Sequence, residues 1–212
     1  MTATVLIADD HPLFRQALAL AVQRVLPDAR LAEAGTLAAA ARVAMEAQDL
    51  RLILLDLKMP GAVGYSGIAL LHAERPTVPI LVVSSAEGGA AADEVRAFGA
   101  VAFLRKDSDL AAIEAAIAAA IGGGRPASSP SPVSSPQPLD TIREDVAGLT
   151  PTQLKVLLGV LDGQLNKQIA HALGMSEATV KAHMTAIMRK LDVGNRTQAA
   201  LVARSLGLDL RH

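Results

Sequence analysis

The sequence predicts an α/β domain built on a parallel sheet, followed by a small all-α domain of four helices. Two observations carry this. Continuous apolar runs alternate with helical patterns up to about residue 121, and beyond Leu149 every patterned segment is helical. A third separates the two: the stretch GGGRPASSPSPVSSPQP, from Gly122 to Pro138, is almost wholly Gly, Ser and Pro. Such a segment buries too little apolar surface to offset its ordering entropy and is expected to be a linker.

The apolar runs of the first unit are Val5–Ala8, Leu52–Leu55, Ile80–Val83 and Ala102–Leu104, with a weaker one at Ala29–Ala34. Helical patterns fall between and after them, over Leu13–Val25, Thr36–Ala47, Gly67–Glu74, Ala90–Phe98 and Asp109–Ile121. Strands that are apolar at every position are buried on both faces, as in a parallel sheet covered by helices. Five such strand-helix units fit a flavodoxin-like (βα)5 domain with strand order 2-1-3-4-5. Its ligand crevice opens beyond the carboxyl ends of strands one and three.

Charge supports the division. Residues 1–121 hold ten Lys/Arg against fourteen Asp/Glu, a net −4, whereas residues 149–212 hold eight against four, a net +4. An acidic module joined to a basic one suggests different partners, the basic module's being a polyanion. The absence of Cys rules out disulfides and thiolate metal sites. The apolar stretch Ala111–Ile121 is too short to span a bilayer and contains Glu114. With no basic segment and apolar signal core at the start, a cytoplasmic protein without membrane contact is expected.

Polar residues stand at the ends of the predicted strands. TVLIADDHPLF ends its strand in Asp9 and Asp10, the third strand ends in Asp56, the fourth in Ser84-Ser85, and FLRK leads into Lys106. Singly, each has a structural explanation as a turn former or helix cap. Together they place three carboxylates, a hydroxyl and an amine on one rim. Crowded carboxylates require compensation. Mg²⁺ supplies it, because this hard cation takes a few carboxylates plus water and phosphate oxygens, and a nearby lysine suits a phosphoryl group.

The motifs IADDHPLF, LLDLKMPG, LVVSS and FLRKD resemble the receiver domain of bacterial response regulators over residues 3–121. The resemblance implies that Asp56 is the phosphoacceptor and Asp10 a direct Mg²⁺ ligand. Asp9 would assist through water, and the backbone carbonyl of Lys58 would complete the metal site. It further implies a switch hydroxyl at Ser84, a phosphoryl-binding amine at Lys106 and a switch aromatic at Phe103. His11, beside Pro12, is read as shaping the loop. Two departures stand out: PGAVGYSG lengthens the loop after Asp56, and AEGGAA places two glycines where the fourth helix begins.

Residues 122–148 form the expected linker, and the second domain spans 149–212. In LTPTQLKVLLGVLDG, Thr150 is a candidate N-cap, Pro151 a first-turn residue and Gly163 a stop. The next stretch predicts helix, tight turn, helix, capped at Asn166 and Ser176 and turned at Gly174, with Glu177 complementing the dipole. Val180, Ile187 and Leu191 share an inward face with Ile169 and Leu173. Lys181, Ala182 and Thr185 lie on another stripe, suited to a major groove. His171 and His183 lack metal-ligand spacing.

NKQIAHALGMSEATVKAHMTAIMRKLDVGNRTQAA resembles the LuxR/NarL-type helix-turn-helix domain, over residues 149–206 with the motif at about 165–184. That likeness gives Lys181 and Ala182 base-reading positions and makes Thr179, Lys167 and Lys190 backbone contacts. Thr185 stands where a second lysine is common, and Lys155 replaces a frequent acid. The last helix, Arg196–Leu206, is expected to expose Ala199 and Val202 as a dimer face.

The resulting expectation is a DNA-binding response regulator of the NarL/FixJ family, not an enzyme. A sensor histidine kinase would phosphorylate Asp56, and double-stranded DNA would be bound by a homodimer formed on phosphorylation. Three alternatives remain open to the sequence. One is a phosphorylation-independent regulator of the same architecture, and another an Mg²⁺-dependent phosphohydrolase. The third, a ligand-sensing quorum regulator, is disfavoured by a composition of one Tyr, three Phe and no Trp.

Overall fold

The computed structural model describes residues 3–62, 64–85, 90–123, 146, 148–205 and 208. The two glycines of AEGGAA and nearly all of the expected linker lie outside them. Five parallel strands, β1 (Thr4–Ala8), β2 (Arg30–Ala34), β3 (Leu50–Leu55), β4 (Ile80–Ser84) and β5 (Ala102–Arg105), form one sheet in the order β2-β1-β3-β4-β5. The helices are α1 (Pro12–Val25), α2 (Leu37–Glu46), α3 (Ser66–Glu74), α4 (Ala90–Ala97) and α5 (Leu110–Ile121).

Alternation along the strands divides the core. Val5 and Ile7 of β1 face α1 and α5, in a cluster with Leu18, Val22, Ile113 and Ile117. Leu6 and Ala8 point the other way and join Leu37, Ile68, Leu71 and Phe98. With both faces of the sheet covered by helices, β1, β3 and β4 end together, and the residues just past those ends share one rim.

Caps set the helix starts. Thr36 and Asp109 accept the N–H of Ala39 (3.2 Å) and Ala112 (2.7 Å) at the heads of α2 and α5, contacts worth about 1 kcal/mol each.

The second domain has four helices: α6 (Pro151–Leu161), α7 (Asn166–Leu173), α8 (Glu177–Lys190) and α9 (Arg196–Ser205). Thr150 and Gln153 form a reciprocal capping box at the start of α6, with bonds of 3.2 and 3.0 Å. Gly174 closes α7 in the left-handed region (φ 64°), and Ser176 caps α8 by accepting the Thr179 N–H at 3.1 Å. Gly159 allows α7 to approach α6, since a Cβ there would stand 2.9 Å from Ile169 Cγ1.

Two expectations fail here. Asn166 does not cap α7; the helix begins after Leu165, and Asn166 Oδ1 instead accepts from Arg196 Nη1 at 2.8 Å. That bond ties α7 to α9, a tertiary use that competes with capping. Ala199 is fully buried and Val202 half-buried, because the inner stripe of α9 packs on the domain core; Leu201, 58% exposed, is the apolar residue that α9 presents outward.

Candidate functional site

The rim carries the acids that the sequence singled out. Backbone bonds from Asp9 N–H to Ala34 O (3.0 Å) and from Asp56 N–H to Ala8 O (2.8 Å) extend the sheet ladder one residue past β1 and β3. Both carboxylates are buried, and Asp10 is half-buried beside them. Lys106 Nζ reaches between the strands to Asp9 Oδ2 at 2.6 Å and Asp56 Oδ2 at 2.8 Å. The Lys106 N–H donates to Ser84 O at 3.0 Å, which sets the start of the lysine's approach.

Burial opposes the charge on Lys106, but hydrogen bonds and attraction from Asp56 and Asp9 outweigh it, so its pKa lies above the usual lysine value. The ammonium also stands 4.7 Å from the centroid of the Phe14 ring, a cation-π contact. The Lys58 N–H donates to Asp56 Oδ1 at 3.1 Å and orients the carboxylate. Ser84 is fully buried at the end of β4, and Phe103 is half-buried opposite Val82 in the β4–β5 register.

Asp9, Asp10, His11 and Asp56 each offer one ligand atom, all within 4.8 Å of one another. His11 therefore does more than shape the loop: its Nδ1 lies 2.7 Å from Asp10 Oδ1 and 3.2 Å from Asp9 Oδ1. Arg15 donates to the Asp9 carbonyl at 2.7 Å and to Glu33 Oε2 at 2.8 Å, clamping the loop that carries the acid pair. Sequence reasoning missed Phe14 and Arg15. Both stand one turn past Asp10 and His11 at the start of α1, a spacing that by itself does not say which loop they return to.

A cavity of about 590 Å³ opens over this rim, lined by His11, Phe14, Asp56, Lys58, Ser85 and Lys106 among others. It can admit a small oxyanion, with an ammonium and a carboxylate at its floor. A larger cavity, about 810 Å³ around His72 and Arg96, lies at the opposite end of the sheet and has no part in this chemistry.

The second constellation is on α8. Val180, Met184 and Ile187 are buried, while Thr179, Lys181, Ala182, Thr185 and Lys190 are exposed. Three of these are already engaged. Thr185 Oγ1 donates to the Lys181 carbonyl at 3.0 Å, Thr179 Oγ1 shares a hydrogen with Ser176 Oγ at 2.8 Å, and Lys190 Nζ donates to Gly148 O. Lys167 is exposed at the head of α7.

Comparison with known proteins gives each half of the chain a family. The model of the response regulator receiver domain matches residues 5–118, and that of the luxR family of bacterial regulatory proteins matches residues 147–203. The chain is a response regulator of the NarL/FixJ family. This regulator is 38% identical over 207 residues to the glycerol metabolism activator of Pseudomonas putida, covering 94% of each chain. It is 32% identical over 207 residues to the nitrate/nitrite response regulator NarP of Escherichia coli, covering 93% of each. A solved RcsB response regulator from Salmonella typhimurium shares the fold at TM-score 0.53 and 22% identity, over 96% of this regulator and 98% of that chain. A NarL receiver domain from Mycobacterium tuberculosis aligns at TM-score 0.51 and 29% identity, over 57% of this regulator and 98% of that chain. Among the described residues, no helix is long and apolar enough to cross a membrane.

Proposed function

We propose that this regulator is switched by phosphorylation of Asp56 from a sensor histidine kinase and reads double-stranded DNA with α8. The observation that carries the proposal is the placement of Lys106 between the buried carboxylates of Asp9 and Asp56. An ammonium held there, beside a cavity, suits an anion that arrives on Asp56.

The acid set fits Mg²⁺. Asp9 Oδ2 and Asp10 Oδ1 are buried, each beside one nitrogen, Lys106 Nζ at 2.6 Å and His11 Nδ1 at 2.7 Å, and each keeps acceptor capacity to spare. Oxygens left in that state accept a hard cation readily. Asp10 and Asp56 would hold the ion directly, with Asp9 through water and the carbonyl of Lys58. When bound, Mg²⁺ neutralises charge on the phosphoryl oxygens.

The chain's own residues do the rest. One Asp56 oxygen bonds to phosphorus as the donor's bond to its leaving group breaks, and the leaving group departs with that electron pair. Lys106 exchanges part of its attraction to Asp56 for the new dianion. The Ser84 hydroxyl turns toward a phosphoryl oxygen, and Phe103 fills the space it leaves, which alters the α4–β5 surface.

On α8, Lys181 and Ala182 face the bases, and Lys167, Thr179 and Lys190 contact the backbone. The basic balance of residues 149–212 supplies the long-range attraction. Phosphorylation favours a homodimer that places two copies of α8 on adjacent half-sites. This reading is of a cytoplasmic protein with residues 3–121 as receiver, 122–148 as linker and 149–212 as DNA module.

Incubation with Mg²⁺ and acetyl phosphate should label the regulator and leave Asp56→Asn unlabelled; equal labelling of both would remove Asp56 from its role. Selection from a random duplex pool, with and without phosphodonor, should enrich a sequence more strongly when the donor is present.

A further inference from the structure

A surface helix keeps one polar face; a helix with none is covered all round. Among the described residues, α3 and α6 are helices with no exposed member, and they meet. In α3, the six consecutive residues Ser66–Leu71 are buried, which covers every direction around the axis, and His72–Glu74 are half-buried. The sheet accounts for one side of α3. In α6, Leu154, Val156, Leu157, Gly159, Val160 and Leu161 are buried and the other five residues are half-buried. The helices α7, α8 and α9 all pack on α6 within the DNA module. With α2 also packed on α3, each helix meets the other on a further side: one continuous apolar cluster includes Ile68, Leu70 and Leu71 together with Val156, Leu157 and Val160.

At the edge of this seam, Lys155 Nζ donates to Glu74 Oε1 at 2.7 Å, with the Glu74 side chain 10% exposed and that of Lys155 29% exposed. An ion pair this sheltered, on an apolar seam, fixes register more than it adds stability. It also accounts for Lys155, the base standing where an acid is common: its partner is on the receiver.

The seam leaves the outer stripe of α8 uncovered. Thr179, Lys181, Ala182 and Thr185 of α8 are all exposed with the two domains in contact. We infer that α3 is a docking surface for the regulator's own DNA module, gripped by α6 with Glu74–Lys155 as the latch, and that the reading face of α8 stays open while the domains are docked. Its DNA part rests on the function proposed above. Activation would then act through how docked chains pair, since no covered reading face has to be released.

The lack of native Cys makes this directly testable. In a Glu74→Cys/Lys155→Cys variant, a short reducible bis-methanethiosulfonate spacer should join the two thiols within single chains, seen as a monomer by mass. The cross-linked chain should bind a random-sequence duplex at low ionic strength within about twofold of the reduced chain, and Lys181 should react equally with an amine reagent in both. Absence of the intrachain cross-link overturns the docking. Loss of DNA binding or protection of Lys181 on cross-linking, reversed by reduction, overturns the open reading face. If neither form bound DNA, the DNA-reading proposal would fail, while the cross-link and Lys181 labelling still decided the docking geometry. As a second measure, Glu74→Lys should speed amide exchange in α3 and α6 about tenfold, the equivalent of one charged hydrogen bond, and Glu74→Lys/Lys155→Glu should restore it; unchanged exchange in Glu74→Lys would refute the latch.

Discussion

Lys106 Nζ stands 2.8 Å from Asp56 Oδ2, and the same ammonium is 2.6 Å from Asp9 Oδ2, so one cation is shared by two buried acids from neighbouring strands. Lys106→Met should therefore cost stability through the acids it abandons. The loss expected is roughly 1–3 kcal/mol at neutral pH, below that of a fully buried pair because the lysine keeps some solvent contact. Added Mg²⁺ should recover part of it. The sign of the pH dependence is fixed by the raised pKa of Lys106. Its contribution is fully present below the unfolded lysine value of about 10.4 and fades as pH rises through the higher folded value. Urea midpoints of the two proteins should converge at strongly alkaline pH, and a constant gap would contradict the assignment.

Gly99 and His72 make a second tight relationship. Gly99 has φ +102°, and a Cβ there would lie 2.5 Å from His72 Cγ. Gly99→Ala should lose roughly 2 kcal/mol or more from backbone strain and overlap together. Removing the ring in Gly99→Ala/His72→Ala relieves the overlap and leaves the strain. The double variant should thus fall short of additivity in denaturant melts.

His72 also predicts behaviour in acid. Burial lowers its pKa, and its Nδ1 is buried without a hydrogen-bond partner. The unfolded chain takes up this proton near pH 6.5 and the folded chain only at lower pH, so stability falls as pH drops through that interval. His72→Gln should flatten that part of the stability curve relative to wild type. An identical slope would mean that another group carries the acid sensitivity.

The sheet was legible because its central strands β1, β3 and β4 are apolar on both faces, a pattern that few other arrangements satisfy, and the rim followed from where those strands stop. Asp9, Asp56, Ser84 and Lys106 could be placed together for that reason. Arg15 and Phe14 could not, because nothing in a helical pattern says which turn leans back over a neighbouring loop. Asn166 and Ala199 went astray through tertiary choices: a side chain able to cap its own helix bonded Arg196 instead, and a small apolar residue turned inward. The α3–α6 seam was written in the sequence as two helices without a polar stripe, but each stripe is meaningful only once the partner helix is known.

Tyr65 links the loop after Asp56 to α4. Its hydroxyl donates to Glu94 Oε2, and its ring stacks on Phe98 with centroids 5.3 Å apart and planes 20° apart. Tyr65→Phe keeps the stack and should cost about 1 kcal/mol, whereas Tyr65→Ala removes both and should cost about 3 kcal/mol. Thermal melts of the pair separate the two contributions, and equal losses would place the whole effect in the hydroxyl.

Thr185 ties its hydroxyl to the Lys181 carbonyl one turn back at 3.0 Å, so what it turns outward is chiefly a methyl group. Thr185→Val keeps that methyl and should change DNA affinity little, with at most a few tenths of a kcal/mol in stability. Thr185→Lys places a second cation one turn from Lys181 on the exposed face. If that cation reaches a phosphate, binding to a random-sequence duplex strengthens at low salt, and the slope of log K against log salt steepens by about 1. Gains that persist undiminished at high salt would instead show a base contact at this position. A Thr185→Lys chain with unchanged affinity and slope would mean that the face bearing Lys181 does not approach DNA.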